Sequence, residues 1–154
     1  APAGGGAVRS LRFTNDTAAA VDDQFVRVRS WQCGTDCGPG SQYRLRAYES
    51  TYSFERFNNS TPQRTVLVLQ NRTDQPVAGT IRFWDAAGNP QGSQAFALIA
   101  REVYVLDTRT VAPGVSGSIT VTSDAAYGML AGKAAVLDPV SGPTQDVIMK
   151  PRIR

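Results

Sequence analysis

The chain predicts an all-β fold, a sandwich or barrel of roughly eight to ten antiparallel strands. Two observations carry that expectation. Between Arg64 and Pro139, short apolar, β-branched bursts are cut at regular intervals by Asn, Asp, Gly and Pro, the pattern of strands joined by tight turns. No segment carries a convincing 3.6-residue apolar stripe. Length adds a bound: 154 residues at 42% apolar composition suit one ordinary globular domain.

The expected elements run in order. Ala7–Thr14 is a first strand with imperfect alternation. Gln24–Trp31 (QFVRVRSW) is a strand that puts Val26 and Val28 on one face and Arg27 and Arg29 on the other. Gln32–Ser41 is a cysteine-bearing loop. Gln42–Phe57 is aromatic-rich; Tyr43, Leu45 and Ala47 share one face, while Arg44, Arg46, Tyr48, Tyr52, Phe54 and Arg56 share the other. Thr65–Asn71 is nearly continuously apolar, which predicts a central strand buried on both faces. Val77–Asp85 alternates, Ala86–Gly92 is a hairpin connection, and Ser93–Ile99 and Glu102–Thr108 are two further strands. Ser118–Thr122 is a short strand. Tyr127–Leu137 holds two glycines and the one helical alternative, and its flanking breakers favour a bent strand. Asp146–Met149 closes the series.

Charge excludes more than it selects. The net charge is +3, and all but two of the 16 basic residues are arginines, the exceptions being Lys133 and Lys150. The arginines alternate along strands instead of clustering, so they read as solvated sheet faces, and nucleic acid is not expected as a partner. The longest apolar runs fall far short of the roughly 20 residues of a membrane-spanning helix.

Chemistry is sparse. The chain has no histidine, which removes Ser-His-Asp and Cys-His catalysis and most metal sites. Lys133, in AGKAA, reads as an edge-strand lysine that blunts aggregation. Glu49, Glu55 and Asp107 cannot be paired from sequence into a glycosidase site. Asp16, Asp22, Asp23 and Asp36 offer oxygens for calcium, but no EF-hand pattern is present and turn formation accounts for them. No cofactor is expected. Cys33 and Cys37, in WQCGTDCGPG, lack the partners for a zinc site. A local disulfide pinning a Gly-rich loop is the expected state, free buried thiols the alternative; a disulfide implies an oxidising compartment. Ala1-Pro2-Ala3 before Gly4–Gly6 reads as a mature end left by signal-peptide removal. Asn15, Asn58, Asn59 and Asn71 each open an Asn-x-Ser/Thr sequon, expected as chance matches in a Thr-rich chain.

The segments RFNNSTPQRTVLVLQN, GTIRFWDAAGN and SGSITVTSDAAYGMLAGKAAVLDPVSG, with the lead-in YRLRAYESTYSFERF, resemble a poorly characterised family of secreted bacterial β-sandwich domains, over about residues 43–152. The resemblance implies an exported, single immunoglobulin-like antiparallel sandwich, residues 8–154, preceded by a Gly-rich extended tail, residues 1–7. It implies no catalytic residues.

Together these readings point to a non-enzymatic, extracellular or cell-surface structural protein that assembles with copies of itself as a filament or surface structure. The tail (Ala1, Pro2, Ala3, Gly4, Gly5, Gly6 and Ala7) is the candidate donated strand; packing back on its own domain is the alternative. A second reading is a monomeric adhesion or carbohydrate-binding module. There Trp31, Tyr48, Tyr52 and Trp84 would form a glycan or partner surface, with core packing as the plainer role of such aromatics.

Overall fold

The computed structural model describes residues 50–152. They form two antiparallel sheets packed face to face, a β-sandwich. The strands are β1 (Thr51–Asn58), β2 (Arg64–Asn71), β3 (Val77–Asp85), β4 (Pro90–Leu98), β5 (Val103–Asp107), β6 (Ser116–Ser123), β7 (Leu130–Asp138), β8 (Gly142–Ile148) and β9 (Lys150–Pro151). A 3₁₀ turn, Thr108–Thr110, follows β5. One sheet has the order β4-β3-β6-β1-β9, the other β5-β2-β7-β8. Tyr127–Leu137 is resolved as a strand, β7, although its first residues belong to the preceding turn. The strands expected at Ala7–Thr14 and Gln24–Trp31 lie outside the described residues.

Alternation builds the core. Leu67 and Leu69 of β2, Val77, Ile81 and Phe83 of β3, and Ile119 and Val121 of β6 point between the sheets and are buried. Phe57 meets Phe83 edge to face, with ring centroids 5.4 Å apart and planes at 80°, a geometry worth about 1 kcal/mol beyond the area it buries. The aromatic strand does not keep one phase. Tyr52 and Phe54 point inward, the register against β6 shifts between Phe54 and Phe57, and Phe57 turns inward after the shift while Arg56 is exposed. A bulge is the physical reason: its extra residue inverts the alternation that the sequence pattern extrapolates.

Two buried asparagines tie the ends of the sandwich. Asn59 donates from Nδ2 to the Ala112 carbonyl (2.9 Å). Its Oδ1 accepts from the Thr65 N–H (3.0 Å) and the Thr108 hydroxyl (2.8 Å). Asn71, at the other end of β2, donates to the carbonyls of Gln75 (2.7 Å) and Ile99 (2.8 Å) and accepts from the Thr73 N–H. These side chains satisfy buried backbone groups that the ladders leave over.

Candidate functional site

The two sheets turn different outer faces to their surroundings. On the five-stranded sheet the outward positions run Thr51, Thr122, Thr80 and Ala95 across the strands, then Ser53, Thr120, Arg82 and Ser93. That face is rich in hydroxyls, joined by the Arg82 guanidinium, Ala95 and the half-buried Trp84 indole. On the four-stranded sheet the outward row is Val105, Val68, Lys133 and Ile148, and the adjacent row is Asp107, Val66, Ala135 and Asp146. Val103 and Gln70 extend it at one end and Leu137 at the other. Val103, Val105 and Ile148 are 51%, 61% and 68% exposed. Singly scattered exposed apolar residues are ordinary; here Val103, Val105, Val66 and Val68 fall on neighbouring positions of the β5–β2 register.

Here the expectation for β2 is corrected. Its apolar run predicts burial on both faces, yet only the face of Thr65, Leu67, Leu69 and Asn71 is buried, while Val66 and Val68 remain partly exposed. Lys133 is also placed differently from its expected edge position. β7 lies between β2 and β8, and Lys133 stands on the apolar face, 3.4 Å from the Asp146 carboxylate.

The face is electrically balanced. Lys133 pairs with Asp146, and Arg64 lies 3.6 Å from Asp107. Such exposed pairs add at most about 1 kcal/mol, but they cancel the field that a polyanion would need. Beyond Arg64 the face runs into an open groove of about 360 Å³, lined among others by Pro62, Arg109, Leu137, Pro139 and Pro143. Arg109 already donates to the Pro62 (2.8 Å) and Gln63 carbonyls.

Of the residues proposed from sequence, the two described aromatics, Tyr52 and Trp84, do not come together. Tyr52 is 5% exposed, and its hydroxyl accepts from the Gly128 N–H at 2.8 Å. It belongs to the core and offers no ring face to a glycan. Trp84 points to the opposite side of the same sheet, half-buried, with its indole N–H donating to Thr120 Oγ1 at 2.9 Å. Trp31, Tyr48, Cys33, Cys37 and the tail Ala1–Ala7 lie outside the described residues. So does the sequon at Asn15. Asn58, Asn59 and Asn71 each spend Nδ2 on an internal hydrogen bond, so the folded chain offers none of them to a glycan without breaking that bond.

The aspartates serve turns. Asp85 accepts from the backbone and side-chain N–H groups of Asn89 and from Ala87 and Gln91, and these bonds hold its carboxyl below the usual range. The N–H groups of Val140 and Ser141 lower Asp138 in the same way. Asp74 is lowered by its hydrogen bond to Arg101 and by that charge. A carboxyl depressed in the folded state favours folding above its unfolded pKa of about 4 and loses that contribution as pH falls through the folded value. Thermal melts taken from pH 7 down to pH 2.5 are therefore expected to lose stability only below about pH 4. With no histidine in the chain, no step is expected between about pH 5 and pH 8.

No family model matches the chain, and no curated protein matches it. Among solved structures it is similar to the crystal structure of Thermotoga maritima 1070, with a TM-score of 0.54 at 14% identity over 70% of this chain and 97% of that one. At that identity the likeness shows the fold alone.

Proposed function

We propose that this chain is an exported, non-enzymatic structural protein that assembles with copies of itself through the surface of its sandwich. The observation that carries the reading is the apolar outer face of the four-stranded sheet, set against the hydroxyl-rich face on the other side. A sheet face of Val, Ala, Leu and Ile left in water forgoes about 25 cal/mol for each Å² it exposes. Absence of histidine, the use of Asp85 and Asp138 in turns, and the exposed pairing of Asp74 with Arg101 support a role without catalysis. Export rests on the expected Cys33–Cys37 disulfide.

Size decides what this face can do. Four strands about 4.8 Å apart and some 20 Å long present roughly 400 Å². That equals a typical functional surface patch but is about half of what each partner buries in a stable complex. The face alone therefore supports a weak contact, and an assembly needs a second one. Sedimentation velocity of the full chain from micromolar to millimolar concentration is expected to show reversible self-association. Val68→Glu is expected to weaken it about ten-fold while leaving the melting temperature nearly unchanged, because the new carboxylate stands opposite Lys133 in the ladder. A chain that stays monomeric throughout that range overturns the reading.

A further inference from the structure

Among the described residues each sheet has two edges, and three of the four are blunted. β4 begins at Pro90 and its register against β3 shifts between Phe83 and Trp84. β8 carries Pro143 and Asp146 and a register irregularity opposite Val136 and Leu137. β9 is two residues long and ends in Pro151. These are the devices by which proteins keep sheet edges from pairing. β5 reads Val-Tyr-Val-Leu-Asp and, alone among the edges of the described residues, has no proline, glycine, lysine or bulge.

The hydrogen-bond phase shows which of its groups face away from β2. The Asn71 N–H donates to the Glu102 carbonyl (2.9 Å), so Asn71 and Glu102 are a hydrogen-bonded pair in the antiparallel β2–β5 register. Such pairs alternate with non-bonded ones. Tyr104 and Leu106 therefore turn their N–H and C=O groups toward β2. Val103, Val105 and Asp107 turn theirs to the open edge, where the Asp107 carbonyl also accepts from the Thr110 hydroxyl (2.8 Å). The strand is held in shape at both ends. Asn71 fixes Ile99 before it, and Thr108 after it is bound to Asn59 and to the Thr65 carbonyl. An edge ordered in advance loses little entropy on pairing.

We infer that β5 joins two copies of this chain, pairing antiparallel with β5 of a second copy about a two-fold axis at Val105; this rests on the self-assembly reading above. In that register Val105 faces its own copy, and Val103 faces Asp107. All three residues with outward groups then lie opposite residues of the same kind, and each N–H meets a carbonyl; that of Asp107, which also accepts from Thr110, offers its second lone pair. The side chains agree. Val105 meets Val105 on the outer face, and Tyr104, half-buried and stacked on Phe96 at 6.3 Å, meets Leu106 on the inner one. The contact is isologous, so it closes on itself. It fuses two four-stranded sheets into one and doubles the continuous apolar face, toward the area that a stable second contact requires.

The test uses Val105→Pro and Val103→Pro in the full chain. Both N–H groups point away from β2, so each substitution removes an edge donor, keeps the β2 ladder and leaves the outer face apolar. Each is expected to weaken the dimer by about ten-fold or more in sedimentation, since every copy loses a donor and leaves its partner's carbonyl unpaired. Without any substitution, amide exchange of Val103, Val105 and Asp107 is expected to slow as protein concentration rises, while Tyr104 and Leu106 stay protected at all concentrations. If the native chain associates but those three amides exchange independently of concentration, the β5 pairing is wrong and the self-assembly reading survives. Association unchanged in proline variants that melt like the native chain has the same meaning. A monomeric native chain removes both.

Discussion

Asn59→Ala is expected to lower the unfolding free energy by about 3–4 kcal/mol. The side chain is 1% exposed and is engaged at both of its polar atoms. Truncation leaves the Thr65 N–H and the Ala112 carbonyl buried without these partners, at about 1–3 kcal/mol each. The Thr108 hydroxyl keeps the Thr65 carbonyl (2.9 Å), which limits the loss. Urea titration followed by circular dichroism should show a lower midpoint at an unchanged slope, and the melting temperature should fall by roughly 10 °C. Because Asn59 also holds the end of β5 through Thr108, amides of β5 are expected to lose protection before those of β7. A loss below about 1 kcal/mol would mean that water replaces the amide and that the clamp is not what orders this end of the sandwich.

That residue also shows how far the sequence is legible. The sequence pattern placed strands at β2, β3 and β6, and in β3 its alternation separates two faces, because a half-buried strand writes its orientation in period two. Asn59 was legible only as a sequon; its buried partners, Thr108 and Ala112, lie about 50 residues away and leave no local mark. The pairing of β2 with β5 and β7, and not with β1 or β3, is equally non-local. So the outer face could not be assembled from sequence, although its main signal, the unbroken TVLVL of β2, was visible. It was read as burial on both sides, which is what such a run needs; the described residues supply one side, and the other is the face proposed for assembly. The two described members of the expected aromatic surface part for the opposite reason. Tyr52 and Trp84 are both aromatic and both on the same sheet, but alternation sends them to opposite faces, and composition carries no face information.

Gly79→Val is expected to cost about 3 kcal/mol or more and to expose the inter-sheet core. Gly79 sits mid-strand in β3, between Phe96 of β4 and Ser123 of β6. A Cβ at this position would lie 2.2 Å from the Thr122 carbonyl oxygen and 2.6 Å from Cζ of the Phe96 ring, inside van der Waals contact with both. The ring has taken the space a side chain would fill, so glycine is required here by close approach and not by a turn. Phe96 also stacks on Tyr104, so displacing the ring disturbs the contact between β4 and β5 across the two sheets. The substitution should therefore lower the denaturation midpoint and weaken self-association in the same variant. Phe96→Leu, paired with Gly79→Ala, should recover part of the stability, because the smaller side chain vacates the site while the backbone clash with Thr122 persists. Full recovery in that double variant would place the conflict in the ring alone. No recovery would place it in the β3–β6 backbone spacing, and the association defect would then follow from a shifted sheet and not from a displaced Tyr104.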